Sequence, residues 1–169
     1  MTKRSVGPLI GDGIALRLLE ERDLPLTREW RNRDDVRRWF FHTDPITNAG
    51  HREWFARYRE RDDDFVFIIE ETRHLLRPVG QVALYEVDWH AGVAEYGRLM
   101  IGDAGARGRG IARRATERLL DEAFGPLALR EIHLEVRADN LAARALYERC
   151  AFAEIGVTDH GAVRMARHK

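Results

Sequence analysis

Arg107-Gly108-Arg109-Gly110-Ile111-Ala112 is the stretch on which the fold turns. It follows the apolar run Arg98-Leu99-Met100-Ile101 and precedes an amphipathic pattern that continues to about residue 124, so the local order reads strand, glycine-rich turn, helix. Glycines at 108 and 110 take dihedrals that a Cβ forbids and let the main chain come close to a ligand. The first amides of a helix have no partner within it, and the helix dipole behind them favours an anion. Taken alone, the same stretch is equally an ordinary entry into a helix.

A second segment gives the first its meaning. Glu131-Ile132-His133-Leu134-Glu135-Val136 alternates as a strand does, and 140–150 reads as a helix carrying Asn140, Ala143 and Tyr147. Asn140 and Tyr147 are seven residues, or two helical turns, apart and so project from nearly one face. Together the segments spell Arg-x-x-Gly-x-Ala and then Val-x3-Asn-x2-Ala-x3-Tyr-x4-Phe, ending at Phe152. This paired pattern resembles the GCN5-related N-acetyltransferase superfamily, closely over 93–156.

Length and composition set the outer bounds. A chain of 169 residues fits a single domain, 1–169, with a proper core. Lys+Arg and Asp+Glu both total 28, so no global field draws the chain to nucleic acid or to an anionic membrane. No run of about twenty apolar residues suggests a membrane span. Lys3 and Arg4 are not followed by the apolar region of a secretory signal, and the expected compartment is the cytoplasm. Cys150 is the sole cysteine, which rules out an intrachain disulfide and reads as a packed thiol. Asp62-Asp63-Asp64 diverge along the chain and read as a solvated turn, so no metal is implied.

Along the chain, 14–19 reads as a strand after a Gly11-Asp12-Gly13 turn. Helical pieces follow across 24–58, broken at Asp44-Pro45, with Trp54, Phe55 and Tyr58 forming one apolar stripe. Strands are expected at 65–70, 80–87 and 93–101, then a helix at 110–124, a strand at 130–136, a helix at 140–150 and strands at 152–157 and 163–167. This order is that of an α/β (α+β) fold, a mixed, mostly antiparallel central sheet with helices on both faces, as in the superfamily. Trp30-Arg31-Asn32, Val36, Trp39 and Glu53-Trp54-Phe55 look like the branch of ribosomal-protein and nucleotide-amino-sugar N-acetyltransferases.

The resemblance implies acetyl-CoA as co-substrate and direct attack by a primary amine in a ternary complex. It places the pyrophosphate on the amides of Arg107, Gly108, Arg109, Gly110, Ile111 and Ala112; Arg109, Arg113, Arg114 and Arg144 either add charge toward the adenosine phosphates or are solvated surface residues. The pantetheine arm then lies along the strand that ends at Met100 and Ile101, where a backbone N–H would hold the carbonyl oxygen. Tyr147 matches the tyrosine that faces the CoA sulfur, as general acid or as the hydrogen bond that steadies the thiolate. Asn140 orients the pantetheine, caps its helix, or does both. Glu95 is the candidate base, with Glu86, Asp88, His90 or water as rivals. Trp30, Phe41 and Tyr96, with Trp39, His42 and Trp54, offer aromatic surface for the acceptor.

One departure from the pattern is Cys150-Ala151-Phe152, where the family usually has Gly-Phe, which predicts a differently shaped helix end. The favoured acceptor is a small amino-sugar conjugate. A protein N-terminus is the alternative, and a non-catalytic acyl-CoA-binding sensor is the alternative of another class. A homodimer is carried over by analogy with the superfamily alone.

Overall fold

The computed structural model describes residues 2–169. The unbroken apolar run Phe65-Val66-Phe67-Ile68-Ile69 accounts for its layering. This run lies in strand β3 (Asp64–Glu71), where Phe65, Phe67 and Ile69 face one core while Val66 and Ile68 face another. A strand covered on both sides has no reason to alternate in polarity.

In chain order, β1 (Leu9–Gly11) and β2 (Ile14–Leu18) form a hairpin, followed by the helices α1 (Leu24–Asn32), α2 (Asp34–Arg37) and α3 (Asn48–Arg59). Strand β3 continues into β4 (Arg77–Asp88) and β5 (Val93–Ile101), and then come α4 (Ile111–Phe124), β6 (Glu131–Val136), α5 (Leu141–Arg149), β7 (Ala153–Val157) and β8 (Val163–His168). The sheet order is β1-β2-β3-β4-β5-β6-β8-β7. Helix α4 lays Ile111, Ala115, Leu119, Leu120 and Ala123 on one face of the sheet, where they meet Phe67, Leu84 and Tyr96. Residues of α1 and α3, among them Leu24, Phe55 and Tyr58, cover the other face at Val66, Ile68 and Ala83. The expected mixed, mostly antiparallel sheet with helices on both faces is therefore what the chain forms.

Every neighbouring strand pair is antiparallel except β5 with β6. That parallel pairing joins Val93 to Glu131, Ala94 to Ile132 and Glu95 to His133, and then stops. Strand β6 continues to Val136 paired with β8, and β5 continues to Ile101 paired with β4, so the two strands part and a gap opens between them.

Three local details differ from the expectations above. β1 was not foreseen, because three residues are too few to show an alternation; the Gly11-Asp12-Gly13 turn is the bend of its hairpin with β2. Asp64 is not solvated: it is 1% exposed and paired with Arg98 at 2.7 Å. Ala151 adopts φ 64°, so the end of α5 takes the left-handed cap that a glycine would provide, without one. Cys150 is buried and free, as a packed thiol should be. No helix among the described residues is long and apolar enough to cross a membrane.

Candidate active site

The turn before α4 is built to present amides. Asp103 accepts from the Gly105 amide at 2.8 Å and starts a 3-10 turn over Ala104–Ala106. Gly108 and Gly110 then take φ of 73° and 71°, and Gly110 caps α4. A Cβ placed on either glycine meets nothing within 4 Å, so the glycines serve backbone conformation and not close packing. The first helical bond runs from the Arg114 amide to the Gly110 carbonyl. Among the described residues, the amides of Gly108, Arg109, Gly110, Ile111, Ala112 and Arg113 have no acceptor. Six consecutive unpaired donors at a helix start form a cradle for a polyanion, which fits the pyrophosphate of the CoA that the sequence pattern implies.

Arg107 contributes differently from the expectation. Its amide reaches the Ala104 carbonyl at 3.4 Å, and its guanidinium bonds Asp35 at 2.8 Å and the Ile101 carbonyl at 3.2 Å. It is a strut between the cradle, α2 and the end of β5. Arg109 and Arg114 fold back on the turn, donating to the carbonyls of Gly105 and Arg109.

From the cradle a groove of about 370 Å³ runs along β5, lined by Leu99, Met100, Ile101, Ala112, Asn140 and Phe40 among others. The Gly102 amide donates to Val79 of the strand preceding it in the sheet, so by strand alternation the Ile101 peptide faces the other way, into the gap. The side chain of Met100 is buried against Trp30 and Val36. Asn140 caps α5, its Oδ1 accepting from the Ala143 amide at 3.2 Å, and the residue also lines the groove.

Tyr147 comes from α5 on the α4 side of the sheet. Its ring packs edge-on against Tyr96 and Phe152, at centroid distances of 5.7 Å and 6.0 Å, and its hydroxyl bonds no protein group among the described residues. Burial holds this phenol above its ordinary range, with Tyr85 and Cys150 adding to the shift, so it is protonated at neutral pH.

On the opposite face of β5 lies a larger cavity of about 820 Å³, between the early helices and the sheet. Its wall includes Phe40, Phe41, Trp54 and Tyr85, together with Arg31, Arg98 and Glu135. Phe40 lines this cavity and the groove alike, and so stands between them. Glu95 sits on the same sheet face as Tyr85, its partner in β4, and is 3.4 Å from Arg164. Burial pushes the Glu95 carboxyl up to about 7; Arg164 pulls it down, and Glu135 and Glu86 push it further up. A carboxyl poised at neutrality beside a cavity is suited to accept a proton.

Two residues expected at the acceptor surface are elsewhere. Trp30 is 4% exposed, and its ring is so tight on Gly102 that a Cβ there would overlap it. Tyr96 is 1% exposed with its hydroxyl 2.7 Å from that of Thr116, because strand alternation turns it toward α4 while Glu95 turns away. Phe41 does line the cavity, as do His42 and Trp54, whereas Trp39 lines the groove. The rival base Asp88 instead caps the hairpin turn, accepting from the Ala91 amide at 2.8 Å. No local pattern marks Phe40, Tyr85, Arg31, Arg98 and Glu135 as lining one chamber, because only the folded sheet and helices bring them together. No group of three or more His, Cys, Asp or Glu able to hold a metal occurs among the described residues.

Comparison with known proteins fits this geometry. Residues 14–153 match the family model of the acetyltransferase (GNAT) domain. The chain is 28% identical over 143 residues to a spermidine N(1)-acetyltransferase of Vibrio cholerae, covering 85% of this chain and 80% of that protein. A crystal structure of the spermidine N-acetyltransferase from Vibrio cholerae in complex with CoA and spermine aligns with a TM-score of 0.84 at 26% identity, covering 94% of this chain and 96% of that one. An N-alpha-acetyltransferase, RimI, of Mycobacterium tuberculosis is 46% identical over 55 residues, 32% of each chain.

Proposed function

Because the chain belongs to the GNAT acetyltransferase family, we propose that it acetylates the primary amine of a small molecule held in the chamber bounded by Phe41, Trp54 and Tyr85. It is an acetyl-CoA-dependent N-acetyltransferase, and acetyl-CoA supplies the activated acetyl group. The observation that carries the residue assignment is the parting of β5 from β6 after Glu95, which leaves the Ile101 peptide without a strand partner on the gap side.

In this reading the amides of 108–113 hold the pyrophosphate, and the Ile101 peptide and Asn140 meet the pantetheine arm. Glu95 takes the proton from the attacking amine, directly or through water. Tyr147 gives its phenolic proton to the departing sulfur, and Tyr96 and Phe152 fix its ring. The Ile101 N–H is the donor best suited to the carbonyl oxygen as charge develops there.

For the acceptor we retain a small amino-sugar conjugate, stacking on Phe41 and Trp54. Spermidine, for which the Vibrio relative is named, is a poorer match to this wall: Arg31 has no carboxylate partner among the described residues, and the wall's carboxylate, Glu135, is 3.5 Å from Arg164. The RimI match keeps a peptide N-terminus as second reading. Thiol release from acetyl-CoA, followed across amino-sugar conjugates, polyamines and N-terminal peptides, tests the proposal. CoA binding without thiol release for any amine would leave the sensor reading in its place.

A further inference from the structure

The charges on the acceptor chamber wall are neutralised unevenly. Arg98 is paired with buried Asp64 at 2.7 Å, and Glu135 is 3.5 Å from Arg164. Arg31 has no carboxylate within 4.0 Å among the described residues. One end of its guanidinium donates to the His42 carbonyl and the plane lies over the Phe40 ring at 3.9 Å, while Nη1 is shielded from solvent with no acceptor at all. A cation held in this way lacks its counter-charge. Burial and neighbouring Arg37 both disfavour its charged form, and an anion would relieve both.

We propose that Arg31 is the binding site for an anionic group, a carboxylate or phosphate, on the acceptor, so that the amine substrates of this enzyme are anion-bearing amines. This rests on the chamber being the acceptor site, as argued above. Arginine presents parallel N–H donors that match carboxylate and phosphate oxygens. The Glu135 side of the chamber attracts the arriving ammonium, and the aromatic wall between accommodates the body of the molecule. An anion on Arg31 also bears on Phe40, the ring beneath the guanidinium, and through it on the partition between chamber and groove.

The test uses the full chain saturated with CoA, so that the amide cradle is filled. Glucosamine 6-phosphate and phenylalanine are compared with counterparts that keep the amine but lack the anion, glucosamine and phenylalanine amide, and with spermidine. At least one anionic probe should raise the melting temperature of the wild type where its counterpart does not, and this shift should vanish in Arg31→Gln and return in part in Arg31→Lys. Whichever pair responds identifies phosphate or carboxylate as the anion. In turnover with acetyl-CoA, the anionic member should exceed its counterpart by about tenfold or more in kcat/KM, and the ratio should fall to near one in Arg31→Gln. An equal thermal shift in wild type and Arg31→Gln, no shift with either anion, or preference for spermidine overturns the assignment. A shift that depends on Arg31 without thiol release would instead count against acetyl transfer in this chamber.

Discussion

Glu95 and His133 are the last residues that β5 and β6 pair; beyond them the parallel ladder ends and the sheet opens. The candidate base thus stands at the apex of the opening in which the acyl donor is proposed to lie. Strand alternation puts its carboxylate on the acceptor side and the next residue, Tyr96, on the Tyr147 side. The proposed base and the proposed acid therefore stand on opposite faces of one sheet.

Glu95→Gln should lower kcat/KM by on the order of 10²-fold and reshape its pH dependence. The wild-type carboxyl, raised to about 7 mainly by burial, is protonated and idle below that pH, so kcat/KM should climb as pH rises through about 7. The variant should lack that climb unless the acceptor's own amine titrates there; an acceptor of higher amine pKa separates the two. A native pKa above the unfolded one also means that stability falls as pH rises from about 4.5 to 7, and the variant should lose less over this window.

Tyr147→Phe keeps the ring that packs on Tyr96 and Phe152, so the melting temperature should hold while kcat falls on the order of 10²-fold. Calorimetric affinity for CoA should change little. Unchanged turnover would remove the phenol from the reaction.

Gly108→Val tests the cradle. Open space surrounds the site, so the only penalty is a β-branched residue at φ 73°, about 1–2 kcal/mol of backbone strain. The loop should relieve it by turning its amides away. The dissociation constant for CoA should then rise by about tenfold or more, with a small fall in melting temperature, measured by calorimetry and thermal denaturation.

Ala151→Gly should stabilise the protein by about 1 kcal/mol, because alanine at φ 64° carries a strain that glycine does not. Denaturant unfolding measures the gain. Turnover should be unaffected, since Ala151 is exposed and glycine keeps the same left-handed backbone.

The parts of this site that were legible in the sequence are those made by one continuous segment. Gly108 and Gly110 before an amphipathic helix announce a set of free amides, whereas Asn140, expected to share a helix face with Tyr147, is the non-helical cap that precedes α5. The proposed acceptor chamber was illegible for the opposite reason. Arg31 from α1, Phe40 after α2, Tyr85 from β4 and Glu135 from β6 meet only through the sheet order, which no local period encodes. Trp30 and Tyr96 show the same limit in reverse: aromatic residues suit a binding wall and a core equally, and only burial tells them apart. Asp64 looked solvated within its acidic run because its partner, Arg98, is 34 positions away in the chain.

Phe40 closes two compartments with one ring. With the groove holding the acyl donor and the chamber the amine, as proposed, widening the donor side for a bulkier acyl chain would push that ring into the amine's space, and enlarging the amine would press it back. Selectivity for donor and for acceptor is then a single adjustable quantity, and variants chosen for one should drift in the other.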